Sequence, residues 1–214
     1  MLQANRRASR GGANSAGRAL SDHARAASYV MRGEINFLFF TAVSVALHPG
    51  FVLKRNEGGM SDYGSHIKTV VPYTLALLFL ALYSHRAALL YRSGDERTKG
   101  LRTLLRAYSA VVFFVLLSTY VYTLNPVLKD LHFALGTALI VVVSVGSLWM
   151  YRQWPTSKGV GLLLFIQLVA DVLSLLTVVG TLHVLFLTEI LANVAFAAIL
   201  IWTCRKTAAE VTSP

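Results

Sequence analysis

The chain has 214 residues, of which 55% are hydrophobic and only 14% charged, with 20 Lys and Arg against 10 Asp and Glu. Soluble chains run at roughly 45–50% apolar and about 25% charged, and a soluble domain of this size cannot hide such an excess in one core. A soluble enzyme and a secreted disulfide scaffold are therefore excluded, and the mean hydropathy of +0.58 describes an all-α polytopic membrane protein.

In chain order, residues 1–34 are rich in Ala, Arg, Ser and Gly, have no long apolar run, and read as a disordered basic tail. Arg6-Arg7 is not read as a twin-arginine signal, because no apolar stretch follows it closely. Six transmembrane spans are predicted, at 35–53, 69–90, 104–124, 131–151, 160–179 and 182–203, leaving 204–214 as a short tail. Each reaches or approaches the ~17–20 apolar residues that cross a bilayer core, and as a helix each closes its own backbone hydrogen bonds in lipid. The first span is the weakest. His48-Pro49-Gly50 interrupts it near its end, so Val30 or Met31 is a candidate extension.

Lys and Arg set the direction. Sixteen lie in the N-terminal tail, the second and fourth connections with their flanks, and the C-terminal tail. Only Lys54, Arg55, Lys68 and Lys129 lie on the other side. The positive-inside rule places both termini in the cytoplasm. The same bias accounts for the net charge of +10 without nucleic acid as a partner.

The first outer connection runs Lys54-Arg55-Asn56-Glu57-Gly58-Gly59-Met60-Ser61-Asp62-Tyr63-Gly64-Ser65-His66. Its Gly, Asn, Asp and Ser are turn formers, and it is longer than the few residues a spacer needs. It reads as an ordered, functional loop, a lid that carries Glu57, Asp62, Tyr63 and His66. Ser, Asp and His occur together in it, but a hydrolytic triad is assembled in space, not along the chain.

Ionisable groups inside a bilayer are costly and mark candidate sites. Asp171 and Glu189 are such groups, each nine residues from Gly180 at the turn between the fifth and sixth spans. They share a depth, about 13 Å from that turn at 1.5 Å per residue. Gln167 and Asn193 lie one turn further in, and Thr177 and His183 flank the turn. The two helices are thus predicted to face each other with a polar ladder: Thr177/His183, Asp171/Glu189 and Gln167/Asn193. Two carboxylates at one depth in a low dielectric do not both stay ionised cheaply. Either one keeps its proton or a cation neutralises the pair. The bland alternative is hydrogen-bonded glue between two helices.

His48, His66, His132 and His183 cluster on the outer side and are the weak candidates for a metal, though none has a local ligand spacing. Cys204 is the single cysteine, which excludes an intrachain disulfide and leaves a candidate acylation site at the end of the last span. Tyr120 and Tyr122 read as an aromatic belt. Gly136, Ser144 and Gly146 in the fourth span read as a close-packing face, either for a second copy or for neighbours in the same chain.

A span ending in His48-Pro49-Gly50, then an outer loop with Ser61-Asp62-Tyr63-Gly64, then a second span, resembles two groups of membrane proteins. One is the DUF998 group, with a Pro-Gly followed by a Ser-Asp-x-Gly element. The other is the Frag1/DRAM/Sfk1 group, with six spans and a similar loop element. The resemblance covers 35–203 and implies a six-helix plasma-membrane protein concerned with lipid organisation or stress, not a defined catalysis. The Gly58-Gly59 pair and Asp171/Glu189 match neither pattern.

The leading expectation is a non-enzymatic membrane protein that binds or senses a lipid or small ligand in an outer-half polar site. No cofactor is expected. The expected partners are membrane lipids, with a homo-oligomer or another membrane protein beside them. Three alternatives stand: a proton- or cation-coupled carrier using Asp171 and Glu189, a metal-dependent membrane hydrolase, and a structural subunit of a membrane complex.

Overall fold

The computed structural model describes residues 2–50, 59–91, 95–154, 158–178 and 184–212, and among them the side chains from Ser21 to Glu210 except that of Val178. These residues form seven α-helices and no strand: α1 (Leu2–Leu47), α2 (Ser61–Ser65), α3 (Val70–Leu90), α4 (Glu96–Thr119), α5 (Pro126–Gln153), α6 (Lys158–Val178) and α7 (Leu185–Thr212). All but α2 contain a stretch long and apolar enough to cross a membrane, at 21–47, 70–90, 96–119, 126–153, 158–177 and 185–210. The chain is an all-α, integral multi-pass membrane protein with six spanning helices.

The six pack side by side in chain order, and α7 returns against α1 to close the ring. Neighbours run antiparallel. His23 meets Tyr91 while Phe40 meets Phe79, which fixes α1 against α3. Tyr73 bonds Thr119 while Ser109 bonds the Ala81 carbonyl, which fixes α3 against α4. Hereafter the distal end of the bundle is the one away from the two termini.

Helix α1 departs from the expected disordered tail. Its backbone is helical from Leu2, and a stretch long and apolar enough to cross a membrane lies within 21–47. The reason is a stripe of small and apolar residues at helical spacing. Ala26, Val30, Phe37 and Ser44 are buried, and the stripe packs on α3, where the Tyr83 and Leu80 side chains crowd Gly33. Successive intervals of four, three and four residues keep one face inward. The arginines of that stretch occupy the opposite face: Arg25 and Arg32 are exposed. At the other end the helix stops at Leu47, since the residue before a proline is driven out of the α region.

Two other starts lie earlier than the hydropathy alone gives. Helix α4 begins at Glu96, capped by Asp95, whose carboxylate accepts the Thr98 N–H at 2.9 Å. Helix α5 begins at Pro126, capped by Asn125, whose side chain accepts from the Leu128 N–H at 2.9 Å. Proline at the first helical position has no N–H to leave unpaired.

The backbone hydrogen bond from Thr98 holds the Asp95 carboxyl below the usual carboxylate range. Its folded-state acidity is depressed, so its contribution is present above the unfolded value of about 4 and is lost as pH falls through the lower folded value. Asp95→Ala is expected to cost about 1 kcal/mol at neutral pH. In thermal unfolding scans of the detergent-solubilised chain, the gap between wild type and variant should shrink as pH falls below about 4. A gap that stays constant with pH would show that the cap acts without its charge.

Two of the small residues of α5 are used within the chain. A Cβ at Gly146 would come within 3.0 Å of Leu104 Cδ2, and Ser144 donates to Asp171. A Cβ at Gly136 would meet nothing within 4 Å. Cys204 is fully buried and its sulfur accepts from the Tyr91 hydroxyl at 3.1 Å, which removes it as an acylation site in this fold.

Candidate functional site

The distal half of the bundle holds a partly open cavity of about 120 Å³, bordered by residues of all six spanning helices and by Met60 and Ser61. Most of its wall is aliphatic and aromatic. Its polar groups include Tyr73, Tyr108, His132, Asp171, Glu189 and Asn193, with the hydroxyls of Ser61, Thr137 and Ser174 beside them.

Helix α2 covers the distal side of this space. Gly59 has a φ of +60°, a left-handed conformation that costs glycine little. A Cβ there would also lie 2.9 Å from the Glu189 carboxyl carbon. The turn aims the Met60 N–H at Glu189 Oε2, 2.8 Å away. Tyr63 is buried to 1% exposure beside Phe186, and its carbonyl accepts from the Thr69 hydroxyl at 2.6 Å. Burial, then the neighbouring Asp62 charge, pushes the Tyr63 phenol up to about 12. Residues 59–66 of the first connection thus form a turn and α2, which place Asp62, Tyr63 and His66; Glu57 lies outside the described residues.

His132 ties the lid to the bundle. Its Nδ1 is 2.7 Å from Ser118 Oγ, and that hydroxyl donates its own hydrogen to the Val115 carbonyl. Ser118 must therefore accept from Nδ1–H, which leaves Nε2 unprotonated to accept from Ser61 Oγ at 2.8 Å. Tyr122 stacks on the imidazole at a centroid distance of 4.8 Å and donates to Asp62 at 3.2 Å. Tyr120 bonds Thr74. Neither tyrosine merely forms the aromatic belt expected of it. A serine does meet a histidine here, but the position that a triad gives to a carboxylate is held by the Ser118 hydroxyl.

The polar residues of α6 and α7 do not form the expected ladder. Asp171 is 3% exposed, and its Oδ2 accepts from Ser144 at 2.6 Å and from Gln167 at 3.4 Å. Gln167 in turn accepts from Ser147 at 2.7 Å, so this pair faces α5. Asn193 faces the other way. Its Nδ2 donates to Glu34 of α1 at 2.9 and 3.1 Å, and its oxygen accepts from Tyr108 of α4. Glu189 serves the lid. Among the described residues, α6 is joined to α7 by the hydrogen bond from Ser174 to Thr188, at 2.8 Å. Thr177 bonds the Leu173 carbonyl of its own helix, and His183 lies outside the described residues. Equal distance from a turn fixes depth, but at 3.6 residues per turn it does not fix which way a side chain points. Both carboxyls nonetheless border the one cavity.

A second buried acid, besides Asp171, lies on α1. Glu34 is 8% exposed and was assigned from sequence to a tail. Its position on the Ala26, Val30, Phe37 stripe was the signal that could have placed it. No Lys or Arg borders the cavity, and among the described residues none pairs with Glu34, Asp171 or Glu189. Asp171 Oδ1 is buried with no hydrogen-bond partner. A lone buried acceptor costs about 1–3 kcal/mol, so something that supplies a donor is the natural occupant.

Metal chemistry finds less support. The His48 and His66 rings meet edge to face at 4.5 Å, while His132 is committed to Ser61 and Ser118. Among the described residues no group of three His, Cys, Asp or Glu is placed to hold an ion.

Comparisons with protein-family models, with curated proteins and with solved structures found no match to this chain.

Proposed function

We propose that the protein is a non-enzymatic plasma-membrane protein, with both termini in the cytoplasm, that binds or senses a lipid or small amphipathic ligand in the distal cavity. The observation that carries this reading is one space bordered by all six spans, mainly apolar, yet facing two carboxyl groups and covered by an ordered lid. Glue between helices would leave no such space beside Asp171. The charge bias of sixteen to four supports the orientation, with the lid outside.

Gly136 provides the test. It borders the cavity, and a Cβ built there meets nothing within 4 Å. Leucine at this position should fill the space while removing a mid-helix glycine, which gains about 0.5–1 kcal/mol of helix propensity. Gly136→Leu is expected to melt at or above the wild-type temperature and to lose roughly tenfold or more in affinity for single-chain amphiphiles, scored by native mass spectrometry from detergent. Unchanged binding in this folded variant would overturn the proposal.

Two buried acids, Glu34 and Asp171, and the half-buried Glu189, none with a basic partner among the described residues, also favour a second reading, a proton- or cation-coupled carrier. It requires flux in reconstituted vesicles that responds to a pH gradient, and a flat response rejects it.

A further inference from the structure

We infer that the ligand of the distal cavity carries a protonated amine, and that Asp171 receives it. This rests on the cavity being a ligand site, as proposed above, and adds the chemistry of the headgroup.

Most of the polar side chains that border the cavity are already engaged. The Tyr73 hydroxyl is 3.1 Å from Thr119 Oγ1, and the Tyr108 hydroxyl donates to Asn193. Both His132 nitrogens are engaged, and Ser174 donates to Thr188. What remains is Asp171 Oδ1, which is buried and unpartnered on a residue only 3% exposed, together with Glu189 Oε1 and the Thr137 hydroxyl. The unmet demand is for hydrogen-bond donors and for positive charge.

Each headgroup class can be weighed against that demand. An anionic headgroup would meet two carboxyl groups and no Lys or Arg, with a single hydroxyl as its donor. A neutral alcohol would supply one donor and leave the charge unopposed. An ammonium supplies up to three N–H donors and the opposite charge together, and charge-assisted hydrogen bonds are about twice as strong as neutral ones. A metal ion would need a third ligand, which the described residues do not place. The hydrocarbon part of the amine would lie against the apolar wall, where Leu77, Val112, Leu139 and Val143 border the same space. The ligand class is therefore a lipophilic primary or secondary amine.

Purified full-length chain in detergent, titrated with dodecylamine, dodecanol and dodecanoate at neutral pH and read by native mass spectrometry, tests this. The expected result is a saturable one-to-one dodecylamine adduct, at least roughly tenfold tighter than either comparison compound, that Asp171→Asn weakens by a similar factor. Asp171→Asn keeps an oxygen for Ser144, and retained dodecanol binding together with a wild-type melting profile shows that it is folded. If it does not fold, Thr137→Val and Glu189→Gln supply the contrast: amine binding is expected to survive the first and to weaken in the second. Dodecanol or dodecanoate binding as tightly as the amine, or amine binding that Asp171→Asn leaves unchanged, would overturn the inference but leave the cavity reading standing. None of the three compounds binding the folded wild type would overturn both.

Discussion

Gly64→Ala is expected to unseat the lid. A Cβ at Gly64 would overlap Thr119 Cγ2 and approach the Tyr73 ring carbons to 2.6 and 2.7 Å. Neither neighbour is free to move. Thr119 is 1% exposed and bonded to the Val115 carbonyl, and Tyr73 is 2% exposed with its hydroxyl on Thr119. Overpacking of this kind costs about 1–3 kcal/mol, and the cheapest relief is for α2 to lift from α3 and α4. That motion would break the Ser61–His132 and Met60–Glu189 hydrogen bonds together. Hydrogen exchange of residues 59–66 should therefore speed up in Gly64→Ala while exchange in α3 and α4 stays slow. Unaltered protection of the lid would mean that the segment is not held by this contact.

Glu34→Ala is expected to be the most damaging substitution on α1. It would leave the Asn193 amide, which donates to both Glu34 oxygens, without its acceptor inside the bundle. The loss extends to Tyr108, because the same Asn193 takes the tyrosine's hydrogen. Leaving a buried donor unpaired costs about 1–3 kcal/mol, and more when the partner was charged. Glu34→Gln retains an acceptor for Asn193 and should recover most of that loss. Thermal unfolding of the two variants separates the readings: equal destabilisation would indicate that the charge matters and not the hydrogen bond.

Legibility differed between depth and direction. Hydropathy placed all six spans because apolar length is a local property, and the caps at Asp95 and Asn125 only moved two of the starts. It failed for residues 21–34, where the buried stripe is built of alanines, a valine and a glycine instead of long apolar side chains. Asp171, Glu189, Gln167 and Asn193 are buried or half-buried polar groups within apolar spans, which hydropathy makes visible, and all but Gln167 border the cavity. Their partners were not legible. Which neighbour an α6 or α7 side chain meets depends on the rotation of each helix in the ring, and that is settled by packing across helices distant in sequence. The lid was visible as a turn-rich segment of unusual length. Its anchor on His132, some seventy residues further on, has no local signature.

A ligand site requires Asp171 to face an accessible cavity and not a dry helix contact. The single cysteine makes this directly measurable, because Cys204→Ser removes the only native thiol while leaving an acceptor for Tyr91. In that background, Asp171→Cys is treated with 2-aminoethyl methanethiosulfonate in the folded, detergent-solubilised protein. The new thiol is expected to be modified, and Gly136→Leu is expected to suppress that modification. A thiol that reacts only after denaturation would contradict that expectation and return Asp171 to the role of glue between α5 and α6.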